Sequence, residues 1–297
     1  MSVDCPAKTN LTLHVGPSHA EWGGRHELDT IYCAVGVYDT VTATRKAPGS
    51  GFSLNLEGAY LGDLASSGSD MRRNHAVLAL FAMAEASGHE PDVALNIDKR
   101  IPVGAGMAGG SADAAATILA LNTLWDLDWP IERLQEVAAT LGADMPFCLT
   151  GGYARGTGFG ERIEQLDDDG DIVRDLTERG FTGHLLVGAY RAELRTPEVY
   201  ATFDQIGAGD GDENHLQKAA VSLHPRSDRR SRKPCVREPA RRSSPVPAHP
   251  SSRSCRRRMR RTPCSGHGRT AVASIASSPR RPSPTDCAYH RMTHITA

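Results

Sequence analysis

The residues with the clearest chemistry are Pro102, Val103, Gly104, Ala105, Gly106, Met107, Ala108, Gly109, Gly110, Ser111 and Ala112, followed by Asp113-Ala114-Ala115. Four glycines and several small side chains lie between an alternating apolar stretch (Val93, Leu95, Ile97) and a helical one. Glycine permits positive φ and lets the backbone come close to a ligand. A loop of this kind that opens a helix aims its own N–H groups, and those of the first helical turn, at one point. The helix dipole adds to the attraction for an anion there. Ser111 is placed to cap the helix or to face a phosphate or Mg²⁺. The competing reading is a tight turn whose glycines serve packing, and for an isolated G-x-G-x-x-G that reading would win. The number of small residues at a strand–helix junction favours phosphate. No Gly-Lys-Ser/Thr follows, so the loop is not a Walker A motif. The acids Asp126 and Asp128 do not end a second strand, so a dinucleotide fingerprint fits poorly. A nucleoside triphosphate is the better ligand.

The elements that must hold this loop follow from periodicity. Leu11, Leu13 and Val15 alternate with polar residues, as do Phe52, Leu54 and Leu56, and both read as strands. Residues 27–44, rich in Val, Ile, Thr and Tyr, read as one strand or a bent pair. Helices are predicted over residues 74–86, about 112–125 and 131–141, the first ending before Gly88 and the last stopped by Gly142. Residues 63–70 read as a loop and 184–189 as a strand. Residues 197–206 and 213–223 read as short helices. Strands and helices mix without a regular βαβ rhythm, which predicts an α+β fold.

Composition narrows the function classes. The chain has 297 residues, 34 Lys+Arg and 35 Asp+Glu, for a formal net charge of −1. That total hides a split: residues 226–297 carry a net +15 and residues 1–225 a net −16. No run of 18 apolar residues exists, so no transmembrane helix is expected. The start of the chain lacks the basic and apolar regions of a signal peptide, so a cytoplasmic location is expected. The seven cysteines show no CxxC or zinc-type spacing. Free or buried thiols are therefore expected, and no metal ligands are assigned.

Further motifs accompany the loop, and together they resemble the GHMP kinase superfamily. The P-x-G-x-G-x-x-G-G-S-A-D-A-A stretch is similar to that superfamily's ATP loop. Pro6-Ala7-Lys8-Thr9-Asn10, Gly24-Arg25-His26-Glu27-Leu28, Leu141-Gly142-Ala143-Asp144-Met145-Pro146-Phe147, Gly156-Thr157-Gly158-Phe159-Gly160-Glu161, and Thr196-Pro197 with Tyr200 resemble one branch of it. That branch phosphorylates a cytidine-diphosphate-linked methylerythritol in non-mevalonate isoprenoid synthesis. The resemblance covers residues 5 to about 225. It implies ATP and Mg²⁺ as cofactors and a small cytidyl substrate as partner. It implies Asp144, on a rigid turn before Pro146, as the general base. Lys8 would pair with Asp144 and stabilise developing negative charge. Taken alone, Lys8 would read as a solvated strand-edge lysine and Asp144 as a helix N-cap. The resemblance places Asn10, His26 and Tyr200 around the cytosine and ribose. Arg25 stands where the family usually has Tyr, so a guanidinium plane could replace one stacking ring. His215 stands where the family commonly has Asp. A homoserine or mevalonate kinase of the same superfamily is the nearest alternative.

The implied fold is a two-domain GHMP kinase. Its N-terminal domain (1–160) is of the ribosomal-protein type, and its ferredoxin-like C-terminal domain is incomplete, spanning 161–225. A basic tail follows over 226–297. That tail contains no Leu, Phe or Trp and holds nine of the 18 prolines, so it is expected to be disordered. Three readings compete for it. It could bind nucleic acid or another polyanion nonspecifically, or act as a regulatory extension, or come from a shifted reading frame after about Pro225. The third is favoured, because the tail begins inside a domain that should continue. No stretch resembling the superfamily's third glycine motif, G-S-G-P-T, follows Pro225.

Overall fold

Two long strands form the spine of the molecule, because β-branched and aromatic residues run through both with few breakers. β1 (Ser2–His19) pairs antiparallel with β2 (Arg25–Arg45) along almost its full length. The structure is a computed structural model and describes residues 1–58, 61, 71–188, 194–225 and 270–274. The other edge of β2 is shared. Residues 40–45 pair with β4 (Val93–Lys99), and residues 30–33 pair with β5 (Tyr153–Thr157). β3 (Ser53–Gly58) lies parallel to β4, and β6 (Arg162–Leu166) lies antiparallel to β5. The resulting mixed sheet has the order β3-β4-β2-β5-β6, with β1 on the remaining edge of β2.

Helices cover one face of this sheet. α1 (His75–Ser87) is capped by Asn74, whose Oδ1 accepts from the Ala76 N–H at 2.9 Å. It ends at Gly88 in the left-handed region. α2 (Gly109–Leu124) is buried on all sides from Ala112 to Asn122. Its run of alanines suits that position, since small side chains let it press against β1, β2, α1 and α4 together. α3 (Ile131–Leu141) buries Leu134, Val137 and Ala138, and the short α4 (Met145–Thr150) is buried along most of its length. The α+β class expected from the sequence is what the structure shows.

α2 begins three residues before its expected start near Ala112. Gly109 and Gly110 form its first turn, and packing explains both. A Cβ on Gly109 would lie 3.2 Å from Ile101 Cγ2 and 3.3 Å from Lys99 Nζ. One on Gly110 would strike the His75 imidazole. Gly104 and Gly106 are glycines for the other reason, with φ of 74° and 71°. The loop glycines thus serve close packing at Gly109 and Gly110 and backbone conformation at Gly104 and Gly106.

The later chain is less regular. α5 (Asp171–Glu178), β7 (His184–Gly188), α6 (Thr196–Ile206) and α7 (Gln217–Leu223) follow. The expected helix over 213–223 forms only from Gln217. Residues 213–215 instead lie along the edge of β1. The Leu13 N–H donates to Glu213 O at 2.7 Å and the His215 N–H to Leu13 O at 2.8 Å. The Val15 N–H then donates to His215 Nδ1 at 3.1 Å. An Asp at this position could also accept that bond. His215→Ala is therefore expected to cost about 1 kcal/mol and His215→Asp to recover most of it, read from urea unfolding.

No strand is expected after Pro225, yet Thr270–Ser274 forms β8, antiparallel to β7. These five residues carry no charge in an Arg-rich segment, and β7 offers an edge whose pairing needs only backbone groups. The remainder of the expected disordered tail lies outside the described residues, as do the expected loop 63–70 and Ala189.

Candidate active site

Lys8 and Asn10 are two residues apart on β1 and so share a face of the sheet. Lys8 Nζ lies 2.8 Å from Asp144 Oδ1 and donates to Asn10 Oδ1 at 3.0 Å. The ammonium also sits 4.7 Å from the centre of the Tyr32 ring. The Lys8 side chain is 6% exposed, whereas that of Asp144 is 36% exposed. The lysine is thus fixed from below, and the carboxylate faces outward. Asp144 occupies the N-cap position of α4, but its side chain makes no capping bond and is turned to Lys8 instead. Neither the solvated-lysine nor the helix-cap reading survives this geometry.

Tyr32 supports the pair. Its ring stacks on Phe147 at 5.0 Å, and its hydroxyl donates to Gly160 O at 3.2 Å. Burial, and then the nearby Asp144 carboxylate, hold its phenol well above the ordinary tyrosine range. Gly156 leaves room for the ring, since a Cβ there would overlap it.

The glycine loop is tied to the same place. The Lys8 N–H donates to Met107 O at 3.1 Å, so the loop backbone is bonded to the backbone of the lysine. Ala112 N–H is engaged with Ala108 O, whereas the N–H groups of Gly109, Gly110 and Ser111, in the first turn of α2, have no backbone partner among the described residues. Ser111 Oγ makes no side-chain hydrogen bond among the described residues. Ala108 is the N-cap and has φ 54° and ψ 33°, left-handed for a residue with a Cβ. That conformation costs an L-residue roughly 1–2 kcal/mol. Ala108→Gly is accordingly expected to raise stability by about 1 kcal/mol in thermal or urea unfolding, the larger entropy of unfolded glycine offsetting part of the relief.

Beneath the loop lies a cluster of which the loop motif contains only Asp113. Lys99 is buried between Asp39 and Asp113, with Asp113 Oδ2 at 2.6 Å, and it donates to Gly109 O at 3.3 Å. The other oxygen of Asp39 accepts the N–H groups of Arg100 and Ile101 at 2.6 and 2.8 Å. Burial works against the Lys99 charge, but the two carboxylates outweigh it and hold its pKa above the ordinary lysine value. The cluster joins β2, the end of β4 and the first turn of α2, and so holds the loop from both ends.

His26 and Tyr200 form a second group. Their rings stack at 5.1 Å, Phe203 meets His26 edge-on at 6.1 Å, and His26 Nε2 lies 2.8 Å from Asp204 Oδ1. Tyr200, Phe203 and Asp204 share one face of α6 by their i, i+3, i+4 spacing. Burial and the Asp144 carboxylate push the Tyr200 phenol up to about 12. Tyr200 therefore stands between the two groups. The Arg25 guanidinium lies 4.5 Å from the centre of Phe159, in the turn that also accepts the Leu28 N–H through Gly158 O. Asn10 belongs with Lys8, its amide engaged by Lys8 and Thr30. Sequence reasoning missed Tyr32, Thr30, Phe159 and Asp204, and only the aromatic position in the G-x-G-x-G-E turn offered a signal for any of them.

Comparison with known proteins bears on this arrangement. Residues 74–152 match the family model described as the GHMP kinases N terminal domain. A 4-diphosphocytidyl-2-C-methyl-D-erythritol kinase of Bifidobacterium adolescentis is 99% identical over 227 residues, covering 76% of this chain and 74% of that protein. Proteins of the same name are 74% identical in Bifidobacterium longum subsp. infantis (76% and 72% covered) and 41% identical in Streptomyces coelicolor (70% and 64% covered). Among solved structures, a 4-(cytidine 5'-diphospho)-2C-methyl-D-erythritol kinase aligns with a TM-score of 0.55 at 29% identity, covering 77% of this chain and 80% of that one. The mevalonate kinase of Methanococcus jannaschii aligns with a TM-score of 0.51 at 15% identity, covering 69% and 66%, which shows a shared fold. With its glycine loop bonded to the strand of Lys8, and Lys8 paired to Asp144, the chain belongs to the 4-diphosphocytidyl-2-C-methyl-D-erythritol kinase family of GHMP kinases.

Proposed function

We propose that the chain transfers the γ-phosphoryl group of ATP to a hydroxyl of 4-diphosphocytidyl-2-C-methyl-D-erythritol, in the non-mevalonate route to isoprenoids. The observation that carries this reading is the 2.8 Å pair of Lys8 and Asp144 beside a loop whose Met107 carbonyl is bonded to Lys8. Phosphoryl transfer asks the protein mainly for positioning and charge stabilisation. The free N–H groups of Gly109, Gly110 and Ser111, with the loop from Pro102 to Ala112, hold the phosphates. Asp144 accepts the proton of the attacking hydroxyl, and Lys8 offsets the negative charge that builds on the transferred group. His26 and Tyr200 receive the cytosine, and Asn10 faces the substrate from beside Lys8.

Mg²⁺ fits the residues present in one way. Among the described residues no group of three His, Cys, Asp or Glu side chains could hold a metal. The ion would sit on the phosphates with the Ser111 hydroxyl, as Mg²⁺ commonly does, and supply charge neutralisation there. No helix among the described residues is long and apolar enough to cross a membrane.

The test is ADP release by the purified full chain with ATP and each of three acceptors: the cytidyl substrate, homoserine and mevalonate. Single-turnover conditions with enzyme in excess keep a slow enzyme measurable. Selective release with the cytidyl acceptor is expected. Release with homoserine or mevalonate alone would assign the chain to another small-molecule kinase of the superfamily.

A further inference from the structure

Between Asn10 and Thr12 the pairing of β1 with β2 slips by one residue. Asn10 faces Tyr32 and Thr12 faces Ile31, so Leu11 has no partner on β2. A bulge of this kind bends the strand, re-aims side chains and leaves ladder groups without their usual bonds. Here two threonine hydroxyls take them up. The Ile31 N–H donates to Thr12 Oγ1 at 3.2 Å, and the Thr12 carbonyl accepts from Thr30 Oγ1 at 2.6 Å. Thr30 is 0% exposed, and Gly156 leaves space for its methyl group.

The direction of these bonds fixes more than the bulge. A hydroxyl has one proton, and that of Thr30 is committed to the Thr12 carbonyl. Toward any other partner Thr30 can only accept. Asn10 Nδ2 donates to it at 2.7 Å. The nitrogen end of the Asn10 amide therefore points to Thr30, and its oxygen end points to Lys8. The lysine ammonium can only donate, so it accepts no other orientation of that amide. We propose that Thr30 is a positioning residue for phosphoryl transfer: its hydroxyl orients the Asn10 amide, and the amide oxygen aims Lys8 at Asp144. Thr30 is fully buried, so it acts through Asn10 and not by direct contact with a ligand. The inference rests on the reading of Lys8 and Asp144 as the reacting pair.

Thr30→Val keeps the shape and removes the hydroxyl, while Thr30→Ser keeps the hydroxyl. In single-turnover assays of the full chain, Thr30→Val is expected to lower the rate of phosphoryl transfer at least about tenfold with ATP affinity unchanged. Thr30→Ser is expected to stay within about threefold of the unsubstituted chain. In an Asn10→Ala background Thr30→Val should have no further effect, because the amide it orients is gone. A threonine that merely stabilises the bulge would lower stability in both backgrounds and leave the rate of the folded protein alone. Crystal structures of the Val and Ser variants supply a readout that needs no turnover. A Lys8–Asp144 separation beyond 4 Å in the Val variant, restored in the Ser variant, supports the proposal. A folded Val variant with full rate, or with the pair still near 3 Å, overturns it. If Asp144→Asn retains full turnover the reading of the pair fails. If Asp144→Asn is slow and Thr30→Val is not, only the role of Thr30 fails.

Discussion

Asp144→Asn is expected to lower the single-turnover rate of the full chain by about 10²–10⁴-fold, the range for loss of a positioned general base. The affinity for ATP should stay within about threefold, because the loop proposed to hold the phosphates is anchored by Lys99 and by the backbone of Lys8, not by Asp144. The substitution is nearly isosteric, and its amide oxygen can still accept from Lys8. A fall in rate therefore reports the lost base and not a collapsed site. The side chain makes no capping bond to α4, so little change in stability should accompany it. A rate loss confined to the chemical step marks an interaction made in the transition state, whereas a change in ATP affinity alone would mark uniform binding. A variant with unchanged rate would remove Asp144 from the reaction.

The site was legible in proportion to how local its chemistry is. The glycine loop announces itself because turn, helix start and proposed anion site occupy eleven consecutive residues, and their small side chains have few other uses. Lys8, Asp144, His26 and Tyr200 carry no signal of their own. They stood out only as members of ordered motifs, and the structure then paired them across the fold. Thr30 and the Lys99 cluster stayed hidden for a different reason. Asp39, Lys99 and Asp113 look like ordinary charged positions, and their burial depends on β2, β4 and α2 meeting at one point. The role of Thr30 depends on a bulge at Leu11, and a one-residue slip between two strands leaves no trace in an alternating pattern. The strands β5 and β6 and the helix α5 were missed because short, polar-rich elements show too little periodicity to separate from loops. His215 is a smaller case of the same kind. Its sequence context reports a departure from the family pattern, and only the structure shows that it still supplies an acceptor, to the Val15 N–H.

The C-terminal quarter supports the second large effect. The Bifidobacterium adolescentis relative is 99% identical over 227 residues, and about a quarter of each chain falls outside the match. Identity that high ending so abruptly fits a change of reading frame better than gradual divergence. After Pro225, composition turns from acidic and apolar to Arg, Pro and Ser. Read in the other two frames, the gene downstream of codon 225 is expected to encode a segment like G-S-G-P-T. If neither frame does, the frameshift reading fails. The kinetic consequence follows from the physics of the loop. The superfamily resemblance implies a third glycine motif that closes the phosphate site, and no stretch resembling it follows Pro225 in the sequence. Positioning errors of about 1 Å cost on the order of 10² in rate. The chain as written is therefore expected to turn over well below the ~1–10³ s⁻¹ of ordinary enzymes. Joining residues 1–225 to the in-frame continuation should raise the rate at least about 10²-fold, with Lys8, Asp144 and the loop unchanged. Ordinary turnover by the chain as written would show that the N-terminal elements complete the phosphate site without that motif. Residues 1–225 carry a net −16, so under the proposed function an anionic substrate must be met by local groups, Lys8 and the first-turn N–H groups of α2, because Lys99 is buried between two carboxylates.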